Sequence, residues 1–209
     1  MNTFGRKFRV SIFGESHGEL IGVTLDGVPA GLELCEADFH DDILRRKSGA
    51  KGTTPRIEED LPMIVSGLFE GHTTGAPLTV VFRNNNTYSS DYSLFAAMPR
   101  PGHADLTAAL KWDDCQDPRG GGHFSGRLTA PLVFAGAIAK QILRCKGINI
   151  YSHIKNIGNV KDKNFSEYIF NTEKLEALKA ETFPVLQEEK APLMQQEILD
   201  AKAEMDSVG

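Results

Sequence analysis

Cysteine is scarce: Cys35, Cys115 and Cys145 are the only three in 209 residues, odd in number and far apart. That spacing excludes a disulfide scaffold and a CxxC zinc site, so no metal centre is expected, and it points to a reducing compartment. Basic charge is also short. Lys and Arg number 23 against 28 Asp and Glu, a formal net charge of −5, and aromatic residues make up only 8%. A nucleic-acid-binding face would need the opposite balance. Long hydrophobic runs are missing as well. The longest uncharged apolar stretch, Leu128 to Ala139, falls well short of the ~20 residues that a membrane-spanning helix needs. Arg6, Lys7 and Arg9 are followed by no apolar segment or small-residue cleavage site, so no signal peptide is read. A cytoplasmic protein with no membrane and no nucleic-acid partner is the expectation. What is present is globular composition, 41% hydrophobic and 24% charged, with 20 glycines.

The acidic excess sits in the tail, residues 161–209, and the rest of the chain is balanced. Every arginine lies at or before Arg144, and the tail uses only lysine. A guanidinium is a planar fork of donors that matches carboxylate and phosphate, whereas a lysine is a flexible point charge. The front of the chain is therefore where an anionic ligand is expected.

Alternation and β-branched content predict strands at Phe8–Phe13, Leu20–Val28, Met63–Phe69, Leu78–Phe82 and Ile148–Ile154. Helices are expected at Glu36–Lys47, Ala104–Trp112, Glu173–Ala180 and Pro192–Met205. The strongest helix signal is Thr129–Lys146, with Pro131 in the first turn, Arg144 and Lys146 in the last, and Gly147 as a stop. Its first part has almost no polar face and reads as buried. Ser48–Arg56 and 83–103 read as loops, the latter opening on Asn84-Asn85-Asn86. Strands and helices mix without a βαβ rhythm, so the fold class is α+β rather than a doubly wound sheet.

Four stretches carry chemistry. Gly14-Glu15-Ser16-His17-Gly18 follows the first strand, and its glycines present Ser16 and His17 at a strand end. Arg100-Pro101-Gly102-His103-Ala104-Asp105 places a second histidine in a constrained loop, with Asp105 positioned to orient the imidazole. Histidine titrates near neutral pH and suits proton transfer. Arg119-Gly120-Gly121-Gly122-His123-Phe124-Ser125-Gly126-Arg127 precedes the buried helix, so converging backbone N–H groups and the helix N-terminus favour an anion or a cofactor edge. It is neither a Walker loop nor a dinucleotide fingerprint. Arg45 and Arg46, with Lys51 and Arg56, form a basic stretch around a glycine-bearing loop; a solvated helix end is the plainer reading of it.

In this order the GESHG loop, the Arg45-Arg46 to Thr53-Thr54-Pro55-Arg56 stretch, SGLFEGHTTGAPL, RPGHAD and RGGGHFSGRLTAPLVFAGAIAK closely resemble chorismate synthases, from about Phe8 onward. The resemblance implies a single domain over 1–209, cut short at its C-terminus, with two antiparallel sheets sandwiching central helices. It implies a homotetrameric lyase that converts 5-enolpyruvylshikimate-3-phosphate to chorismate and phosphate by 1,4-elimination in the shikimate pathway. The reaction depends on reduced FMN, and NADPH is one source of the reducing electrons. By the same analogy His17 assists the departing phosphate and His103 protonates the flavin. Ser16, Arg45, Arg46, Lys51, Arg56 and Arg127 match anion-binding positions, and His123, Phe124 and Ser125 match the stretch that contacts FMN. The sequence departs from the commoner pattern at His-Phe-Ser-Gly-Arg, where Arg-Ser-Ser-Ala-Arg is usual. The alternative expectation is an inactive fragment that only binds anions or flavin weakly.

Overall fold

A computed structural model describes residues 2–47, 58–85, 98–167 and 171–209. Two compact units form, one within Met1–Lys47 and Arg56–Gly147, the other chiefly Ile148–Gly209.

The first unit is built on an antiparallel sheet. Strands β2 (Arg9–Gly14) and β3 (Leu20–Asp26) pair as a hairpin, with Val10 opposite Leu25 and Phe13 opposite Gly22. Strand β1 (Thr3–Phe4) adds to β2. The segments β4 (Met63–Ser66), β5 (Leu68–Phe69) and β6 (His72–Thr73) come next in the chain, then β7 (Leu78–Arg83), which pairs with β3. Strand β4 pairs with β7, giving the order β1-β2-β3-β7-β4. Period-two alternation sends Val10, Ile21, Val23, Leu25, Leu78, Val80 and Phe82 to one face, where all are buried. Along the other face runs a row of hydroxyls, with Thr3 bonded to Ser11 at 2.7 Å and Thr24 to Thr79 at 3.1 Å.

Two helices cover the apolar face. Helix α1 (Ala37–Arg46) carries Asp38 in its first turn and Arg45 and Arg46 in its last, complementing its dipole, and buries Phe39 and Ile43. Helix α2 (Asp105–Trp112) stands beside the site described below. Helix α3 (Thr129–Arg144) buries Ala130, Phe134, Ala135, Ala137 and Ile138. The Phe134 ring meets Phe39 at 5.0 Å and Phe82 at 6.4 Å between centroids, so helix, helix and sheet share one core. Each such side chain contributes about 1.5–3 kcal/mol of burial.

In the second unit β8 (Asn156–Ile157) and β9 (Val160–Lys161) form a small hairpin, followed by α4 (Thr172–Ala180) and α5 (Lys190–Ala203). The Asn171 side chain caps α4 by accepting from Glu173 N–H at 2.9 Å. Ile157, Val185 and Met194 form one small core, and Leu175, Leu178 and Leu186 another.

The class is α+β, as the sequence pattern predicts, with three local corrections. Ile148–Ile154 is not a strand: Ile148 and Ile150 are exposed, and among the described residues no strand pairs with them. Met63–Phe69 is not continuous, because Gly67, with φ 82°, breaks it into β4 and a separate β5 that pairs with β6 instead. Helix α5 starts two residues before Pro192 and stops before Met205, which takes a left-handed conformation with φ 58°. Among the described residues no helix is long and apolar enough to cross a membrane.

Candidate active site

The β2–β3 connection carries Ser16 and His17 inward, and both are buried. The glycine stretch that precedes α3 closes over them. Gly120, Gly121 and Gly122 take φ of 59°, 82° and 53° in succession, so the chain curls back. A Cβ on Gly120 would stand 2.4 Å from His17 Cδ2 and 3.0 Å from Ser16 Oγ. Only a residue without a side chain lets the backbone lie against the imidazole. The Ser16 N–H donates to Gly122 C=O at 3.1 Å, and the His123 ring bonds through Nδ1 to Gly14 C=O at 2.9 Å. A carbonyl only accepts, so His123 Nδ1 carries the proton and Nε2 is the basic nitrogen of the neutral ring. Two motifs about a hundred residues apart thus form one structure.

The glycine loop tolerates little change. A Cβ on Gly122 would sit 2.2 Å from the backbone oxygen of Asp117 at a φ of 53°. Gly122→Ala should therefore cost on the order of 2 kcal/mol in unfolding free energy, from left-handed strain and overpacking together. Chemical denaturation measures this, and an unchanged midpoint would contradict the geometry.

Beside the loop lies a cavity of about 510 Å³, lined among others by Ile12, Phe13, Glu15, Ala108, Trp112, Gln116, His123 and Phe124. Trp112 and Phe124 stack at 5.1 Å with 24° between their planes. Gln116 Oε1 is buried without a hydrogen-bond partner among the described residues. A cavity of this size, with an aromatic wall and an unmet acceptor, fits a flat heteroaromatic ligand that carries N–H groups.

His103 is exposed on the loop before α2, and its Nδ1 faces Pro101 C=O at 3.2 Å, again leaving Nε2 as the basic nitrogen. Asp105 does not orient it. The Asp105 carboxylate takes Arg100 Nε at 2.8 Å, Arg100 Nη2 at 3.0 Å and the Arg100 N–H at 3.1 Å. A bidentate guanidinium outcompetes an imidazole for one carboxylate. Arg100 thereby holds the Asp105 carboxyl below its ordinary value of 3.8, and Arg119 does the same for Asp117. Carboxyls depressed in the folded state stabilise it fully above that ordinary value, and the gain fades as pH falls through it toward the folded values. The unfolding midpoint should thus drop on acidification below about pH 4, less steeply in Asp105→Asn; equal slopes would contradict the pairing.

The arginines divide. Arg45 is exposed at the end of α1. Arg46 and Arg127 instead converge on the buried carboxylate of Asp60. Arg46 Nη1 donates to Oδ2 at 2.7 Å and Arg127 Nη1 to Oδ1. Arg46 also donates to Thr129 Oγ1 at 3.1 Å, and Arg127 to Asn84 Oδ1 at 3.0 Å and to Arg83 C=O at 3.2 Å. The Arg127 side chain is only 3% exposed, and each of its three nitrogens has a protein acceptor. The anion-facing fork expected there is turned inward. Ser125 serves as a cap, its Oγ accepting from Arg127 N–H at 3.3 Å. Lys51 and Arg56 lie outside the described residues. Sequence reasoning missed Asp60 and Asn84, which have no local signature, and saw Arg100 only as the opening of the His103 motif, not as the partner of Asp105.

The fold and this arrangement define an α+β protein whose histidine loop is roofed by a glycine turn beside an aromatic cavity. The chorismate synthase family profile matches residues 8–209, and the chain belongs to that family. A chorismate synthase of Chitinophaga pinensis is 58% identical over 162 residues, covering 78% of this chain and 48% of the relative. That of Pyrobaculum aerophilum is 42% identical over 210 residues, covering 100% of this chain and 56% of the relative. A crystal structure of chorismate synthase superposes with a TM-score of 0.71 at 30% identity, over 98% of this chain and 56% of that one. The chain spans about half the length of the curated relatives it matches.

Proposed function

We propose that this chain carries the histidine-bearing part of a chorismate-forming lyase, acting on 5-enolpyruvylshikimate-3-phosphate with release of phosphate by 1,4-elimination. The observation that carries this reading is the packing of Gly120 against the His17 imidazole, which joins the two family loops into one site. The buried His17 is the group that donates a proton toward the departing phosphate oxygen, and the exposed His103 exchanges a proton at Nε2. Arg45, with Lys51 and Arg56, supplies positive charge for the substrate's carboxylates and phosphate. Arg46 and Arg127 act indirectly, by holding the framework around Asp60. Trp112, His123 and Phe124 would form the wall for FMN, and Gln116 Oε1 would meet a ring N–H. Reduced FMN, when bound, supplies the electron-rich ring that this elimination needs; NADPH is a candidate source of its electrons.

A single domain over 1–209, a cytoplasmic location and a homotetramer belong to the same reading. Leu61, Met63, Val65 and Phe69, exposed along the edge of β4 and β5, support self-association. The test is anaerobic: the 209-residue chain with reduced FMN and 5-enolpyruvylshikimate-3-phosphate, followed by phosphate release and by FMN titration. Phosphate release that requires both the flavin and the protein is expected. FMN binding without any release would overturn the lyase reading in favour of a binding module.

A further inference from the structure

Asn84 immediately follows β7, and its side chain reaches across to the loop that carries Ser16 and His17. The amide nitrogen donates to Glu15 C=O at 3.0 Å and to Gly18 C=O at 2.9 Å, the two ends of that loop. The Asn84 backbone N–H adds a bond to Glu19 C=O at 3.1 Å. The amide oxygen accepts from Arg127 Nε at 3.0 Å. Arg127 donates and never accepts, so it fixes which end of the amide is oxygen and aims the NH₂ at the loop. Arg127 is itself fixed by the buried Asp60 and by Arg83 C=O. A chain of defined polarity therefore runs from Asp60 through Arg127 and Asn84 to both ends of the His17 loop.

We propose that Asn84 is a positioning residue for His17, holding the 15–18 loop so that the imidazole stays packed on Gly120. This rests on the reading of His17 as a proton-transfer group, where a displacement of a fraction of an ångström lowers rate more than binding. A residue that only stabilised the fold would weaken every strand alike. Asn84 bonds to one loop, so its loss should be felt there.

Asn84→Asp separates the two roles. A carboxylate still accepts from Arg127, with a charge-assisted bond, but it has no N–H to offer Glu15 and Gly18. In the 209-residue chain, hydrogen exchange at Ser16 and Gly18 should speed up at least about tenfold, while exchange in β3 and β7 and the thermal midpoint stay close to wild type. With substrate and reduced FMN, kcat should fall about tenfold or more and KM should hardly move. Asn84→Ala should loosen the loop too and in addition lower stability, since it leaves Arg127 Nε without its acceptor. Unchanged loop exchange in Asn84→Asp would overturn the tether, as would faster exchange spread evenly over the sheet. A loosened loop with unaltered kcat would overturn the positioning role. If the wild-type chain releases no phosphate, the lyase reading fails separately, and the exchange data still decide the tether.

Discussion

Replacing Asp60 with asparagine should destabilise the first unit by about 3–5 kcal/mol, the usual cost of breaking a buried ion pair from one side. Two guanidinium groups, from Arg46 and Arg127, meet on this one carboxylate, whose side chain is 1% exposed. Asparagine keeps the shape and tolerates the left-handed backbone at this position, φ 53°. The substitution therefore isolates the charge. Without it the two cations face each other across a neutral amide, and Arg127 is left in a site with almost no solvent. Arg127→Lys should cost less but still be far from neutral, because one ammonium cannot reach Asp60, Asn84 and Arg83 C=O together. The double variant Asp60→Asn with Arg127→Met should recover part of the loss, since it removes the more buried of the two cations left facing the neutral amide. Denaturant titration of Asp60→Asn, Arg127→Met and the double variant gives the coupling directly. Stability within about 1 kcal/mol of wild type in Asp60→Asn would mean that water reaches this pair.

This result also marks where the sequence stops being informative. Thr129–Arg144 was legible because its apolar residues leave almost no polar face, and β2, β3 and β7 because β-branched residues crowd them. The two loops around His17 and Gly120–Gly122 were legible as separate glycine-rich motifs. Their mutual packing was not, since the contact is made by an absent side chain. Asp60 lies 67 residues from Arg127, and nothing in its local sequence ties it to that arginine. Asn84 opens a run of three asparagines that looks like loop filler, and only the β2–β3 connection and the turn before α3 give its amide two carbonyls and a guanidinium. Asp105 sits two residues from His103 and invites an imidazole–carboxylate pair. Arg100 wins it by offering two parallel donors and a backbone N–H. Ile148–Ile154 has the composition of a strand but no partner among the described residues, and pairing rather than composition makes a strand.

His17→Ala should lower turnover by about 10²–10⁴-fold while leaving the fold in place, the range expected when a positioned proton-transfer group is lost. His17 is buried with 7% of its surface exposed, yet it belongs to neither the sheet core nor a helix face. Its surroundings hold the ring in one place. Gly120 lies flat against the ring, Ser16 N–H is tied to Gly122 C=O, and Asn84 grips both ends of the loop. Asp117 stands near enough that the charge of His17 contributes, after Arg119, to holding its carboxyl low. His17→Gln tests geometry apart from titration, because a glutamine fills much of the space and cannot give up a proton near neutral pH. Both variants should keep the wild-type circular dichroism spectrum and a melting temperature within a few degrees. Gly120→Ala should mimic them in activity, because its methyl group would displace the ring. The readout is phosphate release under anaerobic conditions with reduced FMN, beside thermal melting of each variant. Turnover near wild type in His17→Ala would remove His17 from the reaction and leave the buried loop a structural feature alone.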